Sequence, residues 1–279
     1  MADMTGGGRD AIEEGAAAIR ARLGDDFPAT AIILGSGFDK FSDKLSSPQA
    51  MSYAEIPGFV PSTVAGHAGK LMTGKIGALK LAVLAGRVHL YEGHAASAIA
   101  MPIRILRRLG IERLVLTNAS GGLSPEMIPG TLMIVEDHIN FAAANPLIGP
   151  NDDRIGLRFP HMTDAYDPGL RRLLTEAARD AGVAIKSGIY LWCLGPNFET
   201  PAEVRLFRSF GAHVVGMSTV PECLAARHCG MKVAALSLVT NLAAGLAPHP
   251  LTHDETLGEA TKAYGDVEKL LLKFFATLD

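Results

Sequence analysis

Short apolar runs alternate with longer amphipathic segments along the whole chain. The runs Thr30–Leu34 and Leu79–Leu84 are typical of buried strands, whereas Ala11–Leu23 and Ala96–Leu109 carry apolar residues at helical spacing. A glycine follows each of these helical segments, as is common at helix ends. Strands that alternate with helices along one chain predict a single α/β domain.

The rest of the chain continues this alternation. Further predicted strands are Arg113–Thr117, Thr131–Glu136, Ile189–Leu194, Ala212–Val215 and Met231–Thr240. Further helices are predicted over Gly169–Ala181, from Thr200 to Phe210, and from Thr252 to the C-terminus. Residues 1–9 include consecutive glycines and we expect them to be disordered, which leaves residues 10–279 as one domain. The long segment Asp137–Asp167 is rich in proline and glycine, and such segments are usually lids or interface arms.

A capping signal places one acidic residue at a strand-to-helix corner. Thr200 and Glu203 have the spacing of a capping box, with Pro201 at the first helical position. Glu199 therefore lies just outside the helix, where open α/β sheets bind small ligands. Because a helix N-terminus favours negative charge, we expect an ionised Glu199 that takes part in ligand recognition. The alternative is an additional acidic cap on a surface helix.

Glycine and small polar residues follow several predicted strands. Gly35-Ser36-Gly37 offers backbone N–H groups beside a hydroxyl, an arrangement that can bind an anion, although an ordinary tight turn is the alternative. A second small-residue run, Asn118–Leu123, follows another strand. Thr219 and Glu222 have capping-box spacing, which predicts that Ser218 lies at a helix N-terminus, a common anion site.

Basic side chains follow the strand Leu79–Leu84. Arg87 and His89 alternate, so in extended backbone both project from one face and offer donors that suit phosphate. One alternative is an exposed basic turn. Another is a metal site formed by His89, Glu92 and His94, which we disfavour because the spacing matches none of the zinc motifs on helices.

The overall composition disfavours several functional classes. A net charge of −3 argues against a nucleic-acid surface, and no apolar run approaches the roughly 18 to 20 residues of a membrane-spanning helix. The start of the chain has no signal-peptide pattern, and Cys193, Cys223 and Cys229 are scattered, which fits a reducing compartment. We expect a cytoplasmic protein that binds neither nucleic acid nor membrane.

The strand ends together supply two sets of side chains. The set that suits an anion is Ser36, Arg87, His89 and Ser218. The set that suits a flat heterocycle is Glu199, Asn241, Phe198 and Phe159. Carboxylate and amide groups can read the edge of such a ring, and an aromatic side chain can pack on its face. A phosphate site beside a ring site indicates a nucleoside and inorganic phosphate as ligands.

A series of ordered motifs resembles those of trimeric-type purine nucleoside phosphorylases, from about Ala31 to the C-terminal helix. The motifs are Ile33–Gly37, Gly66–Gly69, Gly86–Gly93, Thr117–Leu123, Arg158-Phe159, Gly195–Thr200, Met217–Glu222 and Thr240-Asn241. The resemblance implies one α/β domain around a central mixed, partly barrel-like sheet flanked by helices. It also implies a homotrimer or a dimer of trimers, without metal or cofactor, in which inorganic phosphate is a co-substrate.

The resemblance further implies roles for individual residues. Phosphate binding falls to Ser36, His67, Arg87, His89, the Ala119 backbone and Ser218. Ribose contacts fall to Tyr91, Met217 and His253. The purine is held by Phe198, Glu199 and Asn241, and Phe159 closes the site of the neighbouring subunit. Asn241, Glu199 and His89 are the implied catalytic residues.

The implied reaction is the reversible phosphorolysis of 6-oxopurine ribonucleosides and deoxyribonucleosides in purine salvage. Inosine and guanosine are the expected substrates, and Asn197 together with Asn151–Arg154 resembles a bacterial branch that also accepts xanthosine. The related methylthioadenosine phosphorylases carry aspartate where this chain has Asn241, which disfavours that alternative. A nucleoside hydrolase and a non-catalytic nucleoside- or phosphate-binding protein are further alternatives. Two departures from the family pattern are Ser120, where alanine is usual, and Phe38-Asp39, which replaces leucine and glycine.

Overall fold

The computed structural model describes residues 4–63, 68–246 and 253–278, with the backbone alone for residues 4–9 and 253–257. The described helices are α1 (Met4–Leu23), α2 (Ala96–Arg108), α3 (Pro168–Ala181), α4 (Pro201–Ser209), α5 (Val220–His228) and α6 (His253–Ala276). The strands are β1 (Thr30–Leu34), β2 (Ser46–Ser52), β3 (Lys70–Ile76), β4 (Leu79–Ala85), β5 (Arg113–Gly122), β6 (Leu132–Asn140), β7 (Ile185–Trp192), β8 (Val214–Gly216) and β9 (Lys232–Leu242). Short 3₁₀ helices occur at Asp39–Lys44, Tyr53–Glu55 and Leu90–Glu92.

The described strands form one mixed sheet that is partly closed into a barrel. Its order is β2-β3-β4-β1-β5-β8-β7-β6-β9, and β9 also pairs with β5. This last pairing closes a ring of β5, β8, β7, β6 and β9, from which β1, β4, β3 and β2 extend. Strands β4, β1, β5 and β9 are mutually parallel where they pair, whereas β6 runs antiparallel to β9. The predicted α/β fold with a mixed, partly barrel-like sheet is confirmed.

Helices cover both faces of the sheet because successive strand residues point to opposite sides. In β5, Leu114 and Leu116 pack in a buried cluster that includes residues of α1, α2 and α5. Val115, between them, packs in a second cluster with residues of α3 and α6. The alternation of apolar residues along the central strand therefore builds the layers on both sides of the sheet.

The structure departs from the predicted chain start. Helix α1 begins at Met4, seven residues before the predicted start at Ala11, so residues 4–9 have helical backbone. The expected disorder of residues 1–9 in solution stays a prediction. Adding a turn to an existing helix is far less costly than nucleating a new one, and this offsets the unfavourable helix propensity of the glycines.

Strand β5 is longer than the sequence pattern predicted. Asn118–Gly122, predicted as a loop after the strand, continues β5 and pairs with β9. A register shift between Ser120 and Gly121 interrupts this ladder. Pairing with β9 satisfies backbone groups that glycine-rich sequence would otherwise expose, and so tertiary context overrides the local signal.

Candidate active site

A cavity of about 390 Å³ lies where β1, β4, β5, β8 and β9 end and where the chain leaves β7. The predicted site residues that line it are Ser36, Arg87, His89, Tyr91, Ala119, Phe198, Glu199, Met217, Ser218 and Asn241. Other lining residues include Gly35, Asn118, Ser120, Gly121, Pro196, Val215, Gly216 and Thr240. Residues far apart in sequence thus meet at one edge of the sheet.

Three further predicted site residues are not among the described residues that line the cavity. Phe159 is 85% exposed and lies outside the cavity of its own chain. His67 lies outside the described residues, and of His253 only the backbone, as the first residue of α6, is described. The roles predicted for these three residues stay predictions, as do the roles predicted for the residues that line the cavity.

The end of β1 is held tightly against β5. The N–H of Gly35 donates to Oγ1 of Thr117 at 3.0 Å, and this hydroxyl donates in turn to the carbonyl oxygen of Ile33 at 2.9 Å. A Cβ at Gly35 would overlap the carbonyl oxygen of Thr117, so only glycine permits this approach. The close contact fixes the position of Ser36 on the cavity wall.

Arg87 is buried and is surrounded by protein acceptors. Its Nη1 donates to Oε1 of Glu222 at 3.2 Å and to Oγ1 of Thr219 at 3.3 Å. Its Nη2 donates to the carbonyl oxygens of Thr117 and Ile33. The cation therefore reaches the cavity wall in a fixed orientation, and direct donation to an anion through either Nη would require exchange of one of these bonds.

Glu222 and Thr219 differ from the capping box that we predicted. Thr219 precedes α5 with φ 76° and ψ −48°, and its side chain caps no backbone N–H of the helix. Its hydroxyl accepts instead from Asn118 Nδ2 at 2.9 Å and from Arg87. Positive φ is strained for a β-branched residue, and these long-range bonds hold it in place. The Glu222 carboxylate binds Arg87 because a buried guanidinium requires a counter-charge.

A buried chain of hydroxyl groups leads from β5 and β9 to Ser218. Ser120 Oγ lies 2.7 Å from Ser237 Oγ, which donates to Oδ1 of Asn118 at 2.6 Å. Because the single hydrogen of Ser237 is used on Asn118, Ser120 is the donor to Ser237. Asn118 then donates to Thr219, whose Oγ1 lies 3.2 Å from Ser218 Oγ.

The direction of these bonds orients the Ser218 hydroxyl. Oγ1 of Thr219 already accepts from Asn118 and Arg87, which fills its acceptor positions, so its own hydrogen points to Ser218 Oγ. Ser218 accepts that hydrogen and keeps its own hydrogen to donate. Since Ser218 lines the cavity, the buried chain ends in a hydroxyl that is suited to an acceptor such as an anion.

His89 is positioned by Glu92. Oε1 of Glu92 accepts from the backbone N–H of His89 at 2.7 Å and lies 3.3 Å from its ring Nδ1. Oε2 of Glu92 accepts from the backbone N–H and the hydroxyl of Thr63, at 2.6 and 2.8 Å. Burial opposes ionisation, but these hydrogen bonds outweigh it and lower the pKa of Glu92. Because Nδ1 faces Glu92, a ligand in the cavity would be contacted through Nε2.

Tyr91 and Met217 border the middle of the cavity. The Tyr91 ring stacks on that of His89, with 4.7 Å between ring centroids and 15° between planes. Burial, followed by the nearby Glu92 charge, raises the pKa of Tyr91 to about 12, so the phenol stays protonated. Gly195 has φ 69°, and a Cβ there would overlap the sulfur of Met217. Glycine at this turn thus allows Met217 to lie beneath the segment that carries Glu199.

The other end of the cavity is formed around Glu199. The capping box of α4 is present as predicted, because Thr200 Oγ1 accepts from the Glu203 N–H at 3.3 Å and Oε2 of Glu203 accepts from the Thr200 N–H at 2.7 Å. Glu199, just before this cap, is 9% exposed, and Oε1 accepts from the Cys193 thiol at 3.3 Å.

The pKa of Glu199 moves in the direction opposite to that expected from the helix N-terminus alone. We expected the helix N-terminus to favour the ionised carboxylate, yet burial raises the pKa of Glu199. Hydrogen bonds from its own backbone N–H and from Cys193 act in the opposite direction without cancelling the effect of burial. Desolvation of the buried carboxylate is therefore the largest effect on its pKa.

Asn241 and Phe198 complete this end. Asn241, 6% exposed at the end of β9, donates from Nδ2 to the Leu242 carbonyl oxygen at 3.1 Å and accepts from the Thr240 hydroxyl at 3.0 Å. Phe198 is 39% exposed and lines the cavity beside Glu199. An amide held at a strand end, a buried carboxylate and an aromatic ring can together contact the edge and the face of a flat ring.

Several residues that support the site were not predicted as such. Glu222 is 135 residues from Arg87 in sequence, and no local pattern connects them. Cys193 was interpreted only as a scattered thiol. Glu92 was considered only as a metal ligand, although its spacing from His89 is also that of a local hydrogen-bond partner. A search for carboxylates three residues from a candidate histidine would have found it.

Residues 29–276 match the family model described as the phosphorylase superfamily. A Bacillus subtilis relative, purine nucleoside phosphorylase 1, is 43% identical over 263 residues, which are 94% of this chain and 97% of that protein. The purine nucleoside phosphorylase of Rattus norvegicus is 47% identical over 219 residues, covering 77% and 76% of the two chains. The chain therefore belongs to the purine nucleoside phosphorylase family within this superfamily.

A solved structure supports the same assignment. The Schistosoma mansoni purine nucleoside phosphorylase, described in complex with inosine, has a TM-score of 0.91 to this chain at 34% identity, and covers 97% of both chains. Its agreement over nearly the full length shows that the sheet, the partly closed barrel and the surrounding helices are those of the family.

Proposed function

We propose that this chain catalyses the reversible phosphorolysis of 6-oxopurine nucleosides, with inosine and guanosine as preferred substrates. The observation that carries the proposal is one cavity with two chemically different ends. At one end, the Arg87 guanidinium supplies positive charge, the Ser218 hydroxyl supplies a donor, and His89 presents its Nε2. Glu199 and Asn241 supply groups for a purine edge at the other. A nucleoside and phosphate placed between them would meet at the anomeric carbon of the sugar.

The proposed mechanism follows from the charges that develop on the sugar and on the purine as the glycosidic bond breaks. The bond between C1′ and N9 breaks with its electron pair moving to the purine, and C1′ acquires oxocarbenium character. A phosphate oxygen attacks C1′ from the opposite face, which gives ribose 1-phosphate with inversion and a purine that takes up a proton. Asn241 donates to N7 and stabilises the negative charge on the departing base. Preorganised donors of this kind usually contribute about 10² to 10³ in rate.

The phosphate end requires no general base for the nucleophile. Phosphate is already an anion at neutral pH, so binding and orientation by Ser36, Arg87, His89, Ser218 and the Ala119 backbone suffice. We propose on this ground that the reaction uses phosphate as co-substrate and needs neither a metal nor an organic cofactor. Dialysis against a chelator should leave the turnover of inosine unchanged, and recovery of lost activity by an added divalent metal would contradict this.

Base selection is assigned to Glu199. A 6-oxopurine presents N1–H, which an ionised Glu199 accepts, whereas adenine presents a lone pair at N1. Opposed polar groups in a buried site can give about 10⁴ to 10⁵ in discrimination. Asn241, rather than the aspartate of methylthioadenosine phosphorylases, favours the same substrate class. Xanthosine is the remaining candidate, and comparing its kcat/KM with those of inosine, guanosine and adenosine tests the assignment.

We propose that the chain assembles as a homotrimer or as a dimer of trimers, in which Phe159 closes the neighbouring site. Phe159 is 85% exposed and Leu157, beside it, is 70% exposed, as expected for side chains that pack against a second copy. Light scattering gives the mass of the assembly directly. A monomer with full activity would contradict the proposal.

Mixed assemblies test the contribution of Phe159 across subunits. Phe159→Ala removes the lid that a chain donates, and Asn241→Ala removes the donor in its own cavity. When the two impaired variants are unfolded together and refolded, some cavities combine an intact Asn241 with an intact neighbouring Phe159. We expect partial recovery of activity in the mixture. Activity no higher than that of the separate variants would indicate that Phe159 acts elsewhere.

A phosphate-dependence assay separates the proposed reaction from its alternatives. The protein is incubated with inosine, with and without phosphate, and hypoxanthine and ribose 1-phosphate are measured. We expect equal amounts of both products, formed only with phosphate. Hypoxanthine release without phosphate would indicate a hydrolase, and no release in either condition would indicate a binding protein.

We propose separately that the protein is located in the cytoplasm. No helix in the described part of the chain is long and apolar enough to cross a membrane. Cys193, Cys223 and Cys229 are all free thiols, which fits the reducing environment of a cytoplasm. Fractionation of cells that express the full chain tests this directly.

A further inference from the structure

Cys193 contacts the carboxylate of Glu199, and the reaction described above gives this thiol no role. It follows β7, where its backbone N–H donates to the Gly216 carbonyl oxygen at 3.0 Å and so extends the contact between β7 and β8. Its Sγ lies 3.3 Å from Oε1 of Glu199 and 3.6 Å from the Gly216 carbonyl oxygen. The thiol thus lies between a carboxylate and a backbone acceptor. It is next to Glu199, at the end of the cavity formed by Phe198, Glu199 and Asn241, which we call the base end.

The thiol acts as a hydrogen donor in this position. Burial, followed by the Glu199 carboxylate, raises the pKa of Cys193 far above the usual thiol range, so the sulfur keeps its hydrogen. A single hydrogen can serve only one of the two acceptors at full strength. The carboxylate oxygen is both closer and able to carry charge, and hydrogen bonds to charged acceptors are the stronger ones.

We propose that Cys193 is a specificity-determining positioning residue: its thiol donates to Oε1 of Glu199 and thereby orients this carboxylate as an acceptor for purines that carry N1–H. This rests on the proposed function, in which Glu199 contacts the base. With Oε1 held by the thiol, Oε2 is the oxygen presented to the ligand. Without the thiol, a hydrogen bond that lowers the pKa of Glu199 is lost, so the protonated carboxyl forms at higher pH than in the unchanged protein. A protonated carboxyl donates a hydrogen and can pair with the bare N1 of adenine.

Two substitutions at this position separate donation from packing. Cys193→Val keeps an apolar side chain of similar size and removes the donor, whereas Cys193→Ser keeps a donor and loses volume. If the thiol only fills space, valine should be tolerated and serine should be harmful. If it donates to Glu199, the order is reversed. Cys229→Val is the matched control, because Cys229 is a buried thiol that does not line the cavity.

The readout is the pH dependence of kcat/KM for inosine and adenosine. For Cys193→Val we expect a KM for inosine raised about two- to tenfold, and an acidic limb displaced upward by about 0.3 to 1 pH unit. The preference for inosine over adenosine should fall by a similar factor at the acidic end. Cys193→Ser and Cys229→Val should remain within about twofold of the unchanged protein. The opposite end of the cavity, which carries Arg87, His89 and Ser218 and which we call the anion end, is not altered. The KM for phosphate should therefore be unaffected in all three variants.

The failure of this inference differs from the failure of the proposed function. If the unchanged protein cleaves inosine but Cys193→Val retains its KM, pH profile and base preference, Cys193 has no positioning role. The same conclusion follows if Cys193→Ser loses as much as Cys193→Val. Calorimetric titration with hypoxanthine gives a second readout without turnover, with the same expected order of affinities. If the unchanged protein neither cleaves inosine nor binds hypoxanthine, both the proposed function and this inference are wrong.

Discussion

The two ends of the cavity are built differently. At the anion end, Arg87 and Glu222 form an ion pair whose side chains are each 3% exposed, and the Ser218 hydroxyl ends a chain of buried hydrogen bonds. At the base end, Glu199 has one side-chain partner among the described residues, the Cys193 thiol, and Phe198 is 39% exposed. The polar side chains of the anion end are held by hydrogen bonds within the protein, whereas the base end keeps side chains that a ligand can engage.

The difference matches what each ligand demands. Phosphate carries concentrated charge and is recognised by fixed donors, so reorganisation would weaken its binding. A purine offers a mostly apolar face and a few polar edge atoms, and the protein must accept and release it in each turnover. We infer that substitutions at the anion end affect folding and phosphate binding together, whereas those at the base end affect turnover and base choice with less effect on stability.

The largest expected effect is at the buried ion pair. Glu222→Ala leaves the Arg87 guanidinium buried without its counter-charge, and breaking such pairs typically costs about 3 to 5 kcal/mol of unfolding free energy. The matched control is Glu13→Ala, because the Glu13–Arg108 pair is exposed and should contribute less than about 1 kcal/mol. Urea unfolding of both variants measures the difference.

Added phosphate sharpens this comparison. An anion bound near Arg87 would replace part of the missing negative charge, so saturating phosphate should raise the Tm of Glu222→Ala more than that of the unchanged protein. Equal increases in Tm would mean that the phosphate site is not coupled to the charge of Arg87.

At the base end, Asn241→Ala should lower kcat by about 10² to 10³, because a donor to the departing purine is lost. The KM for phosphate should change little, and the protein should keep its stability to within about 1.5 kcal/mol. Asn140→Ala removes the same amide at the end of β6, away from the cavity lining, and is the matched control. A normal kcat for Asn241→Ala would remove Asn241 from the mechanism.

The protonation of Glu199 gives a smaller effect with a defined sign. Because burial raises the folded-state pKa of Glu199 above its ordinary value of 4.5, the folded state binds this proton more tightly than the unfolded state. The stabilisation is fully present below pH 4.5 and is lost as pH rises through the folded pKa. Glu199→Gln lacks this loss, so it should gain stability relative to the unchanged protein as pH rises.

Unfolding of both proteins at a series of pH values tests this effect. The difference in Tm between Glu199→Gln and the unchanged protein should be smallest in acid and should increase toward neutral pH. A difference that does not depend on pH would show that Glu199 has no raised pKa.

The smallest expected effect concerns the departure from the family pattern at Ser120. Ser120→Ala removes the donor to Ser237, but Ser237 still donates to Asn118. The chain that orients Ser218 should therefore persist, with a stability loss of about 0.5 to 1 kcal/mol and a KM for phosphate within about twofold. Ser237→Ala interrupts the same chain and leaves Asn118 Oδ1 without that donor. Equal KM values in both variants would argue against orientation through the chain.

The elements with strong local signals could be predicted from sequence. Strand β1 has the predicted bounds Thr30–Leu34, and the N-terminus of α4 follows from Thr200, Pro201 and Glu203. These elements are determined by interactions within a few residues. The alternation of strands and helices was sufficient for the α/β class, and the closed ring was expected only from the resemblance to a family.

Long-range interactions could not be predicted in the same way. The sequence pattern gave Thr219 and Glu222 as a cap, yet their partners are Asn118 and Arg87, which are more than 100 residues away in sequence. The continuation of β5 through glycine depends on β9, which comes much later in the chain. The protonation of Glu199 depends on burial, a property of the assembled fold. The residue types at strand ends thus predicted which residues line the cavity. The partners that orient those residues could be identified only from the structure.

The central claim is that an oxyanion site and a purine site share one cavity across a sugar-sized gap. A crystal structure of the protein soaked with sulfate and hypoxanthine tests it most directly. We predict sulfate beside Arg87, His89 and Ser218, and hypoxanthine with N1 near Glu199 and N7 near Asn241, in the same cavity. Sulfate or hypoxanthine bound elsewhere, or either end of the cavity left empty at saturating concentration, would contradict the account.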